Sequence, residues 1–134
     1  MNLLVDTSVW SLAFRRDVGH AAPQIAVLRE ALEGARLVVT TGFVVQELLQ
    51  GFAGPRDRAR LLERLSALTF VDPDLDDHVA AAEVRNTCRR NGVQVGTIDA
   101  LLIQLCRRHS LELLTSDGDF TAAREHVEFG LWSA

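Results

Sequence analysis

Lysine is absent from this 134-residue chain; all fourteen of its basic residues are arginine. A GC-rich genome accounts for such a bias, and the exclusion it brings holds whatever its cause. A P-loop phosphate clamp, a Schiff base and an aspartyl-phosphate transfer site all need a lysine amine, so none of them is available. Cysteine is scarce: Cys88 and Cys106 are the only two, both inside helical patterns and not in a CxxC pair. They read as reduced structural thiols rather than as a disulfide or a zinc site. The four histidines, His20, His78, His109 and His126, share no ligand spacing. No apolar run approaches the roughly 18 residues that span a bilayer. The N-terminus shows no charged lead, apolar stretch and small-residue cleavage site, so a cytoplasmic protein is expected. A basic surplus is missing too. The net charge of −4 is unusual for a nucleic-acid binder, unless carboxylates gather around metal ions and the arginines lie elsewhere.

What is present fits one compact domain over residues 1–134. Hydrophobic residues make up 48% and charged residues 24%, enough apolar material for a core without disulfides. Leu3-Leu4-Val5 is a short apolar run halted by Asp6, the pattern of a buried parallel strand ending at the rim of a sheet. Apolar spacing predicts helices over Pro23–Glu33, Phe43–Phe52 and Asp57–Leu68, a long helix N-capped by Asp76 and stopped at Asn91-Gly92, and another capped by Thr97 and ending at Arg107-Arg108-His109. Strands are predicted at Leu37–Thr40, Leu68–Val71 and Leu111–Leu114, with a short helix and a last strand near Val127–Phe129. This alternation implies right-handed crossovers and an α/β fold, a central parallel sheet with helices on both faces.

Ligands of open parallel sheets bind beyond the carboxyl ends of the strands. Five acids fall at or next to such turns: Asp6 after the first strand, Glu47 near the start of the helix after the second, Asp99 in the first turn of the helix before the Leu111–Leu114 strand, and Asp117 and Asp119 just after it. Carboxylates brought together repel, and without a cation one or more must take up a proton. All-oxygen ligands suit a hard divalent ion, Mg²⁺ or Mn²⁺, and such ions activate water and stabilise in-line displacement at phosphorus. Each acid has an ordinary reading as well. Asp99 suits the positive end of its helix, Asp117 a turn or cap, Asp119 a solvated turn, and Glu47 an exposed helix face. Asp6, beside a buried run, needs a partner.

Four segments then carry a resemblance. Val5-Asp6-Thr7-Ser8-Val9-Trp10, Val45-Gln46-Glu47-Leu48 with Gly51, Thr97-Ile98-Asp99-Ala100-Leu101-Leu102-Ile103 and Leu114-Thr115-Ser116-Asp117-Gly118-Asp119-Phe120 resemble, in order, the four motifs of PIN-domain toxins of the VapC type. The resemblance implies a PIN-like fold and a Mg²⁺-dependent endoribonuclease, with Mn²⁺ able to substitute. It makes Asp6, Glu47, Asp99 and Asp117 the catalytic, metal-binding acids and Asp119 an auxiliary metal ligand. It makes Thr7, Thr97 and Ser116 hydroxyls that orient carboxylates or contact phosphate. In the third motif Gly96 and Ile98 stand where many relatives carry a further polar or acidic residue. The resemblance further implies a transfer or ribosomal RNA substrate, a homodimer, and a VapB-like antitoxin whose basic segment covers the acidic groove. Arginines 15–16, 56–64, 89–90 and 107–108 are candidates for RNA backbone contact, with a solvated helix face as the ordinary reading.

Two other readings compete. Leu-Leu-Val-Asp-Thr-Ser has the outline of a haloacid-dehalogenase phosphatase, but that chemistry needs a second Asp where Ser8 stands, and a lysine. A structure-specific DNA nuclease shares the acids but generally adds an arch or clamp segment, which this chain lacks. A PIN-like interaction module without nuclease activity would be marked by lost acids, and none is lost.

Overall fold

The computed structural model describes residues 1–15, 22–52 and 54–134; Arg16 and His20 lie outside the described residues. The elements in order are β1 (Leu3–Val5), α1 (Thr7–Phe14), α2 (Pro23–Glu30), β2 (Val38–Thr40), α3 (Gly42–Gly51), α4 (Pro55–Ser66), β3 (Thr69–Phe70), α5 (Leu75–Arg90), α6 (Thr97–His109), β4 (Glu112–Leu114), α7 (Asp119–Arg124) and β5 (Gly130–Leu131). A wider helical turn, Ala31–Ala35, extends α2 and ends where Gly34 takes a φ of 113°, a conformation that suits glycine.

The strands form one parallel sheet in the order β3-β2-β1-β4-β5. The chain steps outward from β1 to β2 to β3, then crosses back to β4 and β5. Right-handed crossovers therefore put α1–α4 on one face and α5–α7 on the other, and the packing of α1 on α3, α3 on α4 and α5 on α6 agrees. β1 is central, and Leu3, Leu4 and Val5 are fully buried, as both-face coverage demands. The expected α6 face of Leu101, Leu102, Leu105 and Cys106 is buried, as is Ile103. This helix lies between the sheet and α5. Cys88 and Cys106 are free, buried thiols.

Four local expectations are corrected. The Thr7–Phe14 segment, given no element by its pattern, is a helix with only Val9 and Trp10 buried; two positions are too few to show a period. Asp74, not Asp76, caps α5, accepting a bond from the Asp77 amide while the Asp77 carboxylate accepts one from the Asp74 amide. Gly96, not Thr97, is the cap position of α6, with no side-chain cap. The last strand is Gly130–Leu131 rather than Val127–Phe129. Val127 and Phe129 are buried in the core before the strand begins. Pairing starts at the glycine because a Cβ there would lie 2.5 Å from the Leu111 carbonyl oxygen.

β1 is flanked by β2 and β4, which are reached by connections on opposite faces. The carboxyl end of β1 is thus the switch point of the sheet, where a crevice opens. Asp6 is the next residue.

Candidate active site

Asp6 continues the strand ladder, its amide donating to the Leu114 carbonyl at 2.9 Å. Its own carbonyl accepts the Val9 and Trp10 amides at 3.1 and 3.3 Å and so begins α1. The carboxylate does not cap that helix. Instead Oδ2 accepts hydrogen bonds from the Ser8 and Thr115 hydroxyls, both at 2.8 Å. The side chain is buried, 6% exposed, and the two hydroxyls fix its plane.

The other motifs reach the same rim by different routes. Glu47 lies in the second turn of α3, further along than expected, and its Oε1 accepts the Thr7 hydroxyl at 3.1 Å. Asp99 is the third residue of α6, whose N-terminus returns to the carboxyl ends of the strands. Asp117 follows β4 and accepts the Asp119 amide on Oδ1 at 2.9 Å; its own amide donates to the Thr115 hydroxyl at 3.0 Å. The turn-and-cap reading of Asp117 is therefore correct for one oxygen. Asp119 is exposed at the first position of α7.

Asp99 registers the whole group. Burial, followed by the charges of Asp6, Asp117, Glu47 and Asp119, pushes its carboxyl up to about 7. One element thus faces carboxylates from three others across a half-buried crevice. Among the described residues no arginine or histidine forms an ion pair with any of the five acids. A helix-dipole role for Asp99 would lower its pKa, not raise it. The sequence pattern had brought all five acids to one rim, and they interact there.

The hydroxyls are distributed differently from expectation. Thr7 holds Glu47. Ser116 contributes its backbone amide, which donates to the Ser8 hydroxyl at 3.1 Å. Thr97 makes no side-chain hydrogen bond among the described residues and lines a groove of about 240 Å³ with Phe43 and Ile98. The hydroxyls that orient Asp6 are Ser8 and Thr115, which the sequence reading passed over. Their signal was a hydroxyl two residues after one strand-end acid and another two residues before the next. Of the candidate arginines, Arg108 is committed elsewhere, paired to Asp74 at 3.2 Å and to Asp77 at 2.5 Å.

The donor chemistry fits a hard divalent cation. Asp6, Glu47 and Asp117 each have one oxygen fixed by a protein donor, leaving the other with lone pairs to give. Among the described residues no three acids, histidines or cysteines form a ready-made set around one ion. Mg²⁺ does not require one, since it retains several waters and is usually held by one or two carboxylates.

The PIN domain model matches residues 3–125. Three solved structures show the likeness in fold. The VapC20 toxin of Mycobacterium tuberculosis, described as cleaving the sarcin-ricin loop, is 22% identical with a TM-score of 0.70, covering 95% of this chain and 98% of that one. VapBC2 of Rickettsia felis, bound to a promoter DNA fragment, gives 18% and 0.77, covering 98% of each. FitAcB of Neisseria gonorrhoeae gives 21% and 0.69, covering 98% and 96%. A search of curated proteins returns no significant match. With the family model spanning all but the ends of the chain and the acids gathered at the switch point of the expected sheet, the chain belongs to the PIN-domain family.

Proposed function

We propose that this chain is a Mg²⁺- or Mn²⁺-dependent endoribonuclease and the toxin of a type II toxin–antitoxin pair. The observation that carries the reading is Asp99, buried against four other carboxylates with no ion-pair partner among the described residues. A fold has no stability reason to assemble such a group, because uncompensated like charges oppose folding. A cation turns that liability into a binding site.

Asp6, Glu47, Asp99 and Asp117 would hold the cation, with Asp119 at the open edge. When bound, Mg²⁺ or Mn²⁺ supplies an activated water and neutralises charge developing on the phosphate. The chain's own contribution is positioning. Ser8 and Thr115 hold Asp6, and Thr7 holds Glu47. Asp99, deprotonated at neutral pH once its neighbours are neutralised, adds negative charge and takes or gives no proton. Fixed carboxylates need no reorganisation as the phosphodiester passes through its transition state, and this preorganisation is where electrostatic catalysis gains most.

The toxin role draws on the neighbours, several of which are toxin–antitoxin complexes by description. A small antitoxin with a basic segment would complement the unpaired acids, and a homodimer is part of the same reading. No helix among the described residues is long and apolar enough to cross a membrane. The reading is tested with purified protein on transfer and ribosomal RNA. Cleavage should appear with Mn²⁺, vanish with EDTA and return on adding metal back. Induced alone, the wild type should arrest growth while Asp6→Ala is tolerated at equal protein level. A harmless, RNA-inert wild type would instead identify an interaction module.

A further inference from the structure

We infer that Arg85 and Arg89 form a phosphate-binding cleft beside the acid cluster, which takes a backbone phosphate of the RNA strand next to the one cut. This rests on the ribonuclease reading and adds a substrate-binding site to it.

The two arginines are one helical turn apart on α5 and therefore share a face. They line a cleft of about 400 Å³ with Val95, Gly96 and Asp119. That volume lies within the range of pockets that hold small ligands. Its floor is the loop that leads into α6 and Asp99, and its far wall is Asp119 at the start of α7. The cleft is thus continuous with the acidic crevice. Arg85 is preorganised there, its Nε donating to the Val95 carbonyl at 2.9 Å. That bond uses one of five guanidinium donors and leaves the two terminal nitrogens, the pair that grips phosphate in a fork. Arg89 stands exposed one turn further on. Among the described residues neither arginine is in an ion pair, although Asp119 lines the same cleft.

Charge placement favours a phosphate over an internal partner. An acid cluster filled with divalent ions neutralises the scissile phosphate but leaves its neighbours along the strand repelled by the remaining acidic surface. Two cations beside the crevice offset that repulsion, and they do so within a protein whose net charge is −4. The neighbouring arginines of the chain are used differently. Arg108 is tied to Asp74 and Asp77, and Arg36 is paired to Glu112 at 2.8 Å.

The test uses full-length protein and a single-stranded RNA oligonucleotide that the wild type cuts. Binding is measured by fluorescence anisotropy across a salt series with Ca²⁺ in place of Mg²⁺, and cleavage under steady-state conditions. Arg89→Ala and Arg85→Ala/Arg89→Ala are compared with Arg124→Ala, whose side chain lies near Met1 and Leu111 at the opposite end of the sheet. The double variant should raise KM about tenfold with kcat nearly unchanged. It should also flatten the slope of log affinity against log salt by about 1.4, at about 0.7 per phosphate contact on single strands. Arg124→Ala should do neither. Because Arg85 also tethers the loop before Asp99, Arg89→Glu, which leaves that tether intact, serves as the second probe and should weaken binding more than Arg89→Ala. Wild-type salt slope and KM in Arg89→Glu and the double variant, or an equal loss in Arg124→Ala, would overturn the cleft while leaving the ribonuclease reading standing. A wild type that neither binds nor cuts RNA would overturn both.

Discussion

Two groups of acids in this molecule are treated in opposite ways. At the start of α5, Asp74 and Asp77 close a reciprocal cap, and Arg108 and Gln104 reach across from α6 to the Asp77 carboxylate. Asp77 is 1% exposed, and burial alone would raise its pKa. The Asp74 amide, Gln104 and Arg108 outweigh that and hold it below the usual carboxylate value. At the carboxyl end of the sheet, Asp99 is buried against four like charges and is driven up to about 7. The first group is satisfied by the chain itself. The second is complete only with something the chain does not contain. Burial by itself does not tell structural from functional carboxylates; the difference lies in whether the fold supplies the counter-charge.

The largest expected effect is on chemistry. Asp6→Asn and Asp99→Asn should each lower single-turnover RNA cleavage at saturating Mn²⁺ by at least about a hundredfold, comparable to losing a major electrostatic stabiliser. Asp119→Asn, at the exposed edge, should cost clearly less, and Asp76→Asn in the satisfied group nothing measurable. If Asp119→Asn is as damaging as Asp99→Asn, the ranking of the acids is wrong.

Next comes stability, where the two groups should differ in sign. Asp77→Ala removes a capping box and a buried acceptor and should cost about 2 kcal/mol in chemical denaturation. Asp99→Asn removes a repelled charge and should stabilise the metal-free protein at pH 8 by about 1 kcal/mol. Destabilisation by both substitutions would make Asp99 a structural residue.

The pH dependence sharpens the same contrast. Asp99 titrates near 7 in the folded metal-free protein and near 3.8 when unfolded. Between those values the native state holds the extra proton, so stability should fall as pH rises from about 4 to 7. Asp99→Asn should flatten that decline. Asp77 runs the other way: its contribution is present above the ordinary value of 3.8 and is lost as pH falls through its lowered folded value. A smaller effect concerns the thiols. Burial raises the pKa of Cys88 and Cys106, so iodoacetamide should label neither appreciably until the protein unfolds.

The sequence pattern made the parallel α/β architecture and the rim position of all five acids legible, because both depend on short apolar runs ending in carboxylates. It did not reveal α1, whose two buried residues carry no period, or the last strand, which is placed by the close approach of Gly130 to β4. It assigned the α5 cap to Asp76 because several acids in a row all suit a cap, and only the backbone decides which one accepts the bond. Thr7 was identified from its motif, whereas the Ser8 and Thr115 bonds to Asp6 join residues up to 109 positions apart. Such partners depend on strand order and not on local spacing. For the same reason Arg108, one of several similar arginines in sequence, became distinct only through its pairing with Asp77.

The central claim is that the unsatisfied acids are a divalent-cation site, and calorimetric titration of Mn²⁺ tests it most directly. At pH 7.5 the wild type should bind Mn²⁺, Asp6→Asn and Asp99→Asn should each weaken binding at least about tenfold, and Asp76→Asn should match the wild type. Wild-type affinity should also fall as pH drops below 7, because the cation then competes with a proton on Asp99. Equal affinity in all four proteins, or no binding by the wild type, would contradict the account.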